Sequence, residues 1–538
     1  MTAGAAAGTL LIRGATILDG SGRPGRTGDV LVADGRIREA GDRSDASAAR
    51  MIDADGLAVA PGFVDMHAHS DLAVLDDPQN LAAVSQGVTT QVVGQDGLAY
   101  APATEAALDV LREQLAGWNG PHAGAGWPDV AGYLAEVDRH GSAANVAALV
   151  PHGTIRLNVV GTHDRRATPS ELAAMRSQVE RGMRDGAFGL SAGLSYAPGM
   201  FADTAELVAL CEIVAANGGY FAPHQRSYGA GALDGYAEMI AIAHRAGCAL
   251  HLTHATMNFE VNRGRAGELT ALIDDALAHG VDITLDTYPY LAGSTTLVAL
   301  LPGWAAAGGP AETLARLDDP AQRERIIRDL DIVGSDGAHG VPVDWHAVEV
   351  SGVRDPALAD RVGRTIAQLA AAEGRPPAEA ALDLLIADRL GTGILQHVGD
   401  EDNVRTMMRH PRHTGGSDGI LVGAKPHPRA WGTFPRYLGR YVREHGVLTL
   451  EDAVVHLSAR PARRLGLADR GRIAPGAVAD LVVFDPATVA DRATFDEPRQ
   501  QAAGIPWVLV AGVPVIEEGV RAETAPGRAL RSAACVPS

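Results

Sequence analysis

Lysine is almost missing from this chain. Lys425 is its single lysine; the rest of the 46 basic side chains are arginine. A Schiff-base lysine, a phosphate-loop lysine or a carboxylated, metal-bridging lysine would have to be that one residue. Cysteine is nearly as scarce. Cys211, Cys248 and Cys535 form no CxxC pair and no even framework, which argues against a disulfide-built secreted scaffold and against a cysteine-built zinc site. No apolar run reaches the ~18 residues of a membrane span. Met1 to Leu10 has no basic stretch followed by an apolar core, so no signal peptide is expected and the cytoplasm is the expected location. Positive charge is not in surplus either. A formal net charge of −19 makes nucleic acid and anionic membranes unexpected partners.

What is present is the balance of a large globular protein. The 538 residues are 46% apolar and 21% charged, enough to bury a sizeable core. The two ends read alike. TLLIRGATILDG, DVLVADGRIREAG and MIDADGLAVAPG lie within 9–60, and GRIAPGAVADLVVFDP and WVLVAGVPVIEEG within 470–520. Alternating Val/Ile/Leu segments broken by DG, AG and PG are strands and hairpins. They predict one small β domain made from both ends, 1–60 and 466–538.

Between the ends, over 61–465, short apolar strands alternate with alanine-rich helical stretches, the pattern of a parallel α/β fold. Strands are expected near 62–68, 88–94, 146–150, 187–191, 220–224, 249–254, 282–286 and 413–417. Eight such units would close a (β/α)8 TIM-like barrel. GILQHV at 393–398 reads either as a ninth strand or as part of an insertion. The run from about 295 to 395 is too long for one connection and predicts a subdomain inserted over the barrel mouth.

The chemistry gathers at strand ends. PGFVDMHAHSD, 61–71, is an apolar strand ending in His67-x-His69. Side chains two apart on a strand share a face, so both imidazoles can reach one metal. His224 closes YFAPHQR and His254 closes ALHLTHAT, each at the end of a predicted strand. His251, three residues before His254, should face away and serve the structure. GSDG occurs twice, at 334–337 and 416–419. Only the second follows the last expected strand, so Asp418 is the candidate acid and Asp336 a surface turn.

Taken together these residues resemble the amidohydrolase superfamily of metal-dependent hydrolases. In finer detail the chain is similar to the N-acyl-D-amino-acid deacylases, or D-aminoacylases. The matching segments are SQGVTTQVVGQDG, PHGTIR, GAFGLSAGLSYAP, PHQRSYG, DTYPYLAGST and GGSDGILVGAKPHPRAWGTFPRYLGRYVRE. The resemblance implies a (β/α)8 barrel, a small β-sandwich domain formed by both termini, one or two zinc ions and hydrolysis of an N-acyl amide. It implies His67, His69, His224 and His254 as ligands and Asp418 as ligand and general base. It places Tyr196, Tyr288, Ser294 and Arg429 on the substrate, with Arg429 and Ser294 on its carboxylate.

Two positions depart from the family pattern. Where these deacylases read NCG, this chain reads Gln95-Asp96-Gly97, which makes Asp96 the counterpart of a cysteine ligand. A carboxylate can bridge two zinc ions, so ligation by a harder oxygen donor is expected. A lysine commonly found two residues after the sixth-strand histidine is Thr256 here.

The expected chemistry is zinc-dependent hydrolysis of an N-acyl-D-amino acid or related N-acyl compound bearing a carboxylate. Asp418 would take a proton from water, and Tyr196 or His152 would support the oxyanion. Two other readings compete. Cyclic amide hydrolases of the hydantoinase or dihydroorotase kind usually carry a carboxylated lysine on the fourth strand, and GAFGLSAG has none. A metal-free barrel acting as a binding module would be expected to lose its ligands. Oligomeric state is not legible.

Overall fold

The computed structural model describes residues 6–42, 48–120 and 125–535. Met1–Ala5 of the N-terminal segment lie outside the described residues. The expected strands are all present. Phe63–Asp65, Val88–Val93 and Asn145–Ala148 form one parallel sheet. Val150–Pro151, Gly189–Gly193, Tyr220–His224, Ala249–Leu252, Ile283–Thr287 and His413–Gly415 form a second, also parallel. Asn145–Ala148 and Val150–Pro151 are one expected strand, interrupted at Leu149.

Backbone hydrogen bonds join the two sheets at both edges. Met66 N–H donates to the Gly415 carbonyl at 3.1 Å, and Phe188 N–H donates to the Ala148 carbonyl at 2.9 Å. Strand residues are buried on both faces, as expected when helices cover a parallel sheet. Those helices start on local signals. Thr168 and Glu171 form a reciprocal capping box for Pro169–Arg184, and Asp203 caps Thr204–Ala216 through the Glu206 N–H.

Both termini meet in one nine-stranded sheet. Its joint is the antiparallel pairing of Ala58–Pro61 with Leu481–Phe484, Ala58 opposite Phe484. A bridge between Arg36 and Val478 folds the sheet over an apolar interior that includes Leu10, Ile12, Leu481 and Leu509. Residues 526–530 leave this sheet. Val146 N–H donates to the Arg528 carbonyl at 3.0 Å and Leu530 N–H to the Val146 carbonyl at 2.7 Å, so the tail lies along the Asn145–Ala148 strand.

GILQHV is not a ninth parallel strand. Gly393–His397 is the middle of an antiparallel sheet with Ala292–Thr296 and Val348–Gly352, and this sheet has its own core. An apolar run of five residues looks the same in either setting. Lys425 ties this insertion down, donating to Glu349 at 2.8 Å. Among the described residues no helix is long and apolar enough to cross a membrane.

One aromatic contact links the first strand to the helix Arg429–Arg436. Phe63 stacks on Phe434 with ring centroids 5.7 Å apart, and both are fully buried. Phe434→Ala should therefore cost about 3–5 kcal/mol, the usual range for deleting a buried aromatic ring. Chemical denaturation of the purified variant against wild type measures it.

Candidate functional site

Three strained turns deliver the central side chains. Asp96, His254 and Asp418 have φ of +53°, +32° and +49°. A non-glycine residue in that region costs roughly 1–3 kcal/mol and persists only when its surroundings hold it. Here they do. Asp286 Oδ1 accepts the His254 N–H at 2.8 Å. The Asp418 N–H donates to the His67 carbonyl at 2.8 Å. Gly97, directly after Asp96, packs so tightly that a Cβ would stand 2.6 Å from Gly193 N.

These turns bring His67, His69, Asp96, His224, His254 and Asp418 together, all buried. Asp96 stands between two histidine pairs. Its Oδ1 is 3.5 Å from His67 Nε2 and 3.6 Å from His254 Nε2. Its Oδ2 is 3.5 Å from both His69 Nε2 and His224 Nδ1. Asp418 Oδ1 lies 3.1 Å from His69 Nε2 and 3.6 Å from His67 Nε2. Two groups thus have metal-holding spacing: His67, His69, Asp96 and Asp418, and Asp96, His224 and His254, with Asp96 in both.

The donor set fits zinc, which takes imidazole nitrogen and carboxylate oxygen. Both ring nitrogens of His67 and Oδ1 of Asp96 are buried without a hydrogen-bond partner. Such orphaned lone pairs are costly in a dry interior unless a cation uses them. The acids are in the ligating form. Burial pushes Asp96 toward neutrality, but His67 and His224 outweigh it and hold its pKa well below the usual carboxylate range. Asp418 is also held low, its burial outweighed first by the Arg429 guanidinium.

Residues behind the cluster orient it. Asp286 was not a sequence candidate, yet its Oδ2 is 2.9 Å from His251 Nε2 and 3.8 Å from His67 Nδ1. His251 does face away from the cluster, bridging Asp286 and Thr284. Asp65 Oδ1 accepts the N–H of His67 and of Ser417 at 3.1 and 2.8 Å. Ser195 Oγ lies 2.6 Å from His224 Nε2. Accepting that N–H leaves the Nδ1 lone pair facing Asp96. Trp118 packs on His69 at 5.0 Å and edge-on against Tyr196. Asp286, Ser195 and Trp118 were not singled out in the sequence, because each acts on a histidine distant in the chain.

The expected substrate residues are divided: Arg429, Tyr288 and Ser294 meet beside Asp418, Tyr196 lies against His224, and His152 pairs with Glu206. Arg429 is fully buried, its Nη2 3.0 Å from Asp418 Oδ2 and 3.3 Å from the Ser294 carbonyl. Its guanidinium lies 4.5 Å over the Tyr288 ring. Its Nε and Nη1 have no hydrogen-bond partner. Tyr196 rests 4.7 Å from the His224 ring, and its hydroxyl reaches Thr295 Oγ1 at 3.1 Å. Burial raises the Tyr196 pKa well above the ordinary phenol value. His152 Nε2 is 2.8 Å from Glu206 Oε1, and its Nδ1 is unpartnered. Asp336 is an exposed turn residue whose Oδ1 accepts the Gly303 N–H at 2.8 Å. Lys425 is committed to Glu349, so carboxylated-lysine chemistry has no lysine here. Thr256 donates to Asn258 Oδ1 at 2.9 Å.

A family model described as "Amidohydrolase family" matches residues 50–516. The N-acyl-D-glutamate deacylase of Alcaligenes xylosoxydans xylosoxydans is 37% identical over 532 residues, covering 98% of this chain and 97% of that protein. The D-aminoacylase of the same organism is 35% identical over 525 residues, 97% of each chain. Among solved structures, the N-acyl-D-glutamate deacylase from Bordetella bronchiseptica matches with a TM-score of 0.82 at 36% identity. The match covers 97% of this chain and 99% of that one. That enzyme is complexed with zinc and a phosphonate inhibitor that mimics the tetrahedral intermediate of the reaction.

Asp286→Asn should weaken zinc binding by about 10–100-fold, the usual effect of removing a carboxylate that orients a ligating histidine. Competition against a fluorescent chelator reads this directly. Unchanged affinity would mean that Asp286 only supports the backbone at His254.

Proposed function

The chain belongs to the amidohydrolase family, and on that premise we propose that it hydrolyses the amide of N-acyl-D-amino acids. Zinc is its cofactor in this reading, held by His67, His69, Asp96, His224, His254 and Asp418. The carrying observation is Arg429: a fully buried guanidinium beside Asp418 whose Nε and Nη1 donors are unused. A buried cation with spare donors suits a carboxylate, and its place beside Asp418 supports a substrate carboxylate close to the scissile amide.

Zinc held there would supply Lewis acidity, which polarises an amide carbonyl and acidifies water. The rest is the work of the chain's own residues. Asp418 accepts the proton of the attacking water and returns it to the leaving nitrogen, where bond cleavage creates a base. Arg429 and Ser294 hold the substrate carboxylate, and Tyr288 flanks the guanidinium. Tyr196 remains protonated at neutral pH and can donate to the developing oxyanion. His152 is held by Glu206, with its free Nδ1 as the second candidate donor. Asp96 takes the place of the family's cysteine, and its position between the two histidine pairs supports a bridging role.

The fold reading belongs to the same proposal. The hydrogen bonds at Met66–Gly415 and Phe188–Ala148 support closure of the eight strand units into a (β/α)8 barrel within 61–465. The folded-over terminal sheet supports a β-sandwich from 1–60 and 466–538. The substrate is a small molecule.

Zinc-loaded protein should release amino acid from N-acetyl-D-amino acids faster than from the L forms, as followed by amine release. Asp418→Asn should lose about 10²–10⁴ in kcat, the typical weight of a positioned acid/base, and more if metal is lost too. Equal rates on D and L substrates would remove the stereochemical part of the assignment. Arg429→Lys keeps the charge without the fork. Its kcat/KM should fall at least about tenfold on N-acyl amino acids but little on the matching amides without a carboxylate. An unchanged kcat/KM would take Arg429 off the substrate.

A further inference from the structure

Beside the cluster lies a chamber that the reaction described above does not use. Trp118, Ser195 and Tyr196 line it and at the same time touch the cluster, Trp118 at His69 and the other two at His224. Leu98, Val110, Leu115, Leu157, Met200 and Leu301 supply much of its apolar wall. Its roof is part of the inserted segment, from Thr296 to Leu301 and from Ala306 to Thr313. Not one Asp, Glu, Lys, Arg or His is among the described residues that line it.

The polar groups of the chamber are mostly engaged. Gln114 Nε2 donates to the Ala197 carbonyl at 2.6 Å. Thr313 Oγ1 donates to the Gly309 carbonyl at 3.0 Å, and Tyr196 meets Thr295 at 3.1 Å. Arg316, on the helix Pro310–Asp318, donates to the carbonyls of Ala305 and Ala307. Gln114 Oε1 and the Trp118 indole N–H are buried and unpartnered, and Thr162 and Thr296 also line the wall. They can hydrogen-bond a neutral group, but they cannot neutralise a charge.

We propose that this chamber takes an uncharged, apolar arm of the substrate and selects against an acidic group on that arm. The proposal rests on the deacylase reading and names its substrate class. The carboxylate next to the amide belongs to Arg429, on the Asp418 side of the cluster. A second carboxylate in the chamber would be desolvated with no cation to meet it, which is strongly unfavourable. Each methylene buried there should instead raise kcat/KM by about fourfold. The arm can be the amino acid side chain or the acyl chain, and these two sources are separable by substrate.

The test uses zinc-loaded full-length protein and five substrates. N-acetyl-D-alanine is the reference. N-acetyl-D-leucine and N-acetyl-D-glutamate probe the side chain; N-hexanoyl-D-alanine and N-glutaryl-D-alanine probe the acyl arm. One arm should gain at least about tenfold in kcat/KM from the apolar extension. The same arm should lose at least about tenfold when its extension ends in a carboxylate. Val298→Arg, at the half-buried edge of the chamber, should reverse that selectivity while N-acetyl-D-alanine turnover stays within about threefold. Val110→Arg does the same from the opposite wall if the first variant fails to fold. Flat selectivity across the five substrates overturns the chamber assignment and leaves the deacylase reading standing. So does a preference for the acidic member of both arms, or arginine variants with wild-type selectivity. Hydrolysis of none of the five removes the deacylase reading itself, and the chamber assignment with it.

Discussion

Two carboxylates and four imidazoles share one small buried volume, and the balance of charge among them is the constraint to which the neighbouring structure answers. A carboxylate buried alone would protonate rather than remain anionic. Asp96 stays ionised because an imidazole lies about 3.5 Å away in each of four directions. Asp418 stays ionised because Arg429 and His69 face its two oxygens. Remove any one of these and the rest would have to change protonation or position. A divalent cation completes the same balance, with the acids already in the form that binds it.

Geometry follows from that balance. Six side chains from distant parts of the chain can converge only where parallel strands end side by side. Even there the backbone is bent into conformations that asparagine or glycine would adopt more readily. Asp96, His254 and Asp418 all sit at positive φ. Each is pinned by a neighbour from another strand: Gly193 crowds the Asp96 turn, Asp286 receives the His254 N–H, and the His67 carbonyl receives the Asp418 N–H. Strain at three positions of the cluster is stored against the packing of the strands themselves.

The antiparallel sheet around Gly393–His397 stands beside the cluster rather than in it. It has a separate core and is held to the loop after Asp418 by Lys425 and Glu349. Ala292–Thr296 belongs to that sheet, yet it offers Ser294 to Arg429 and Thr295 to Tyr196. One strand of the insertion therefore borders both Arg429 and the apolar chamber.

Local patterns in the sequence determined a good deal. Short apolar runs located the parallel strands, and alternating segments located both halves of the terminal sheet, because a strand's burial is written in its own residues. The same rule put His67 and His69 on one face and turned His251 away from His254. Strand order separated Asp418 from Asp336, though both sit in GSDG. Asp96 and Arg429 became legible only through family resemblance, since an Asp-Gly turn and one arginine among many carry no local mark. Tertiary structure alone decided the rest. GILQHV joined the insertion's sheet because its partners, Ala292–Thr296 and Val348–Gly352, lie far off in sequence. Asp286, Ser195 and Trp118 gained their roles by standing behind or beside histidines from other strands. The apolar chamber exists only where the Leu98–Trp118 region meets the insertion. A residue's own periodicity shows which way it faces. What it faces is set by chain closure across hundreds of residues, and no local pattern records that.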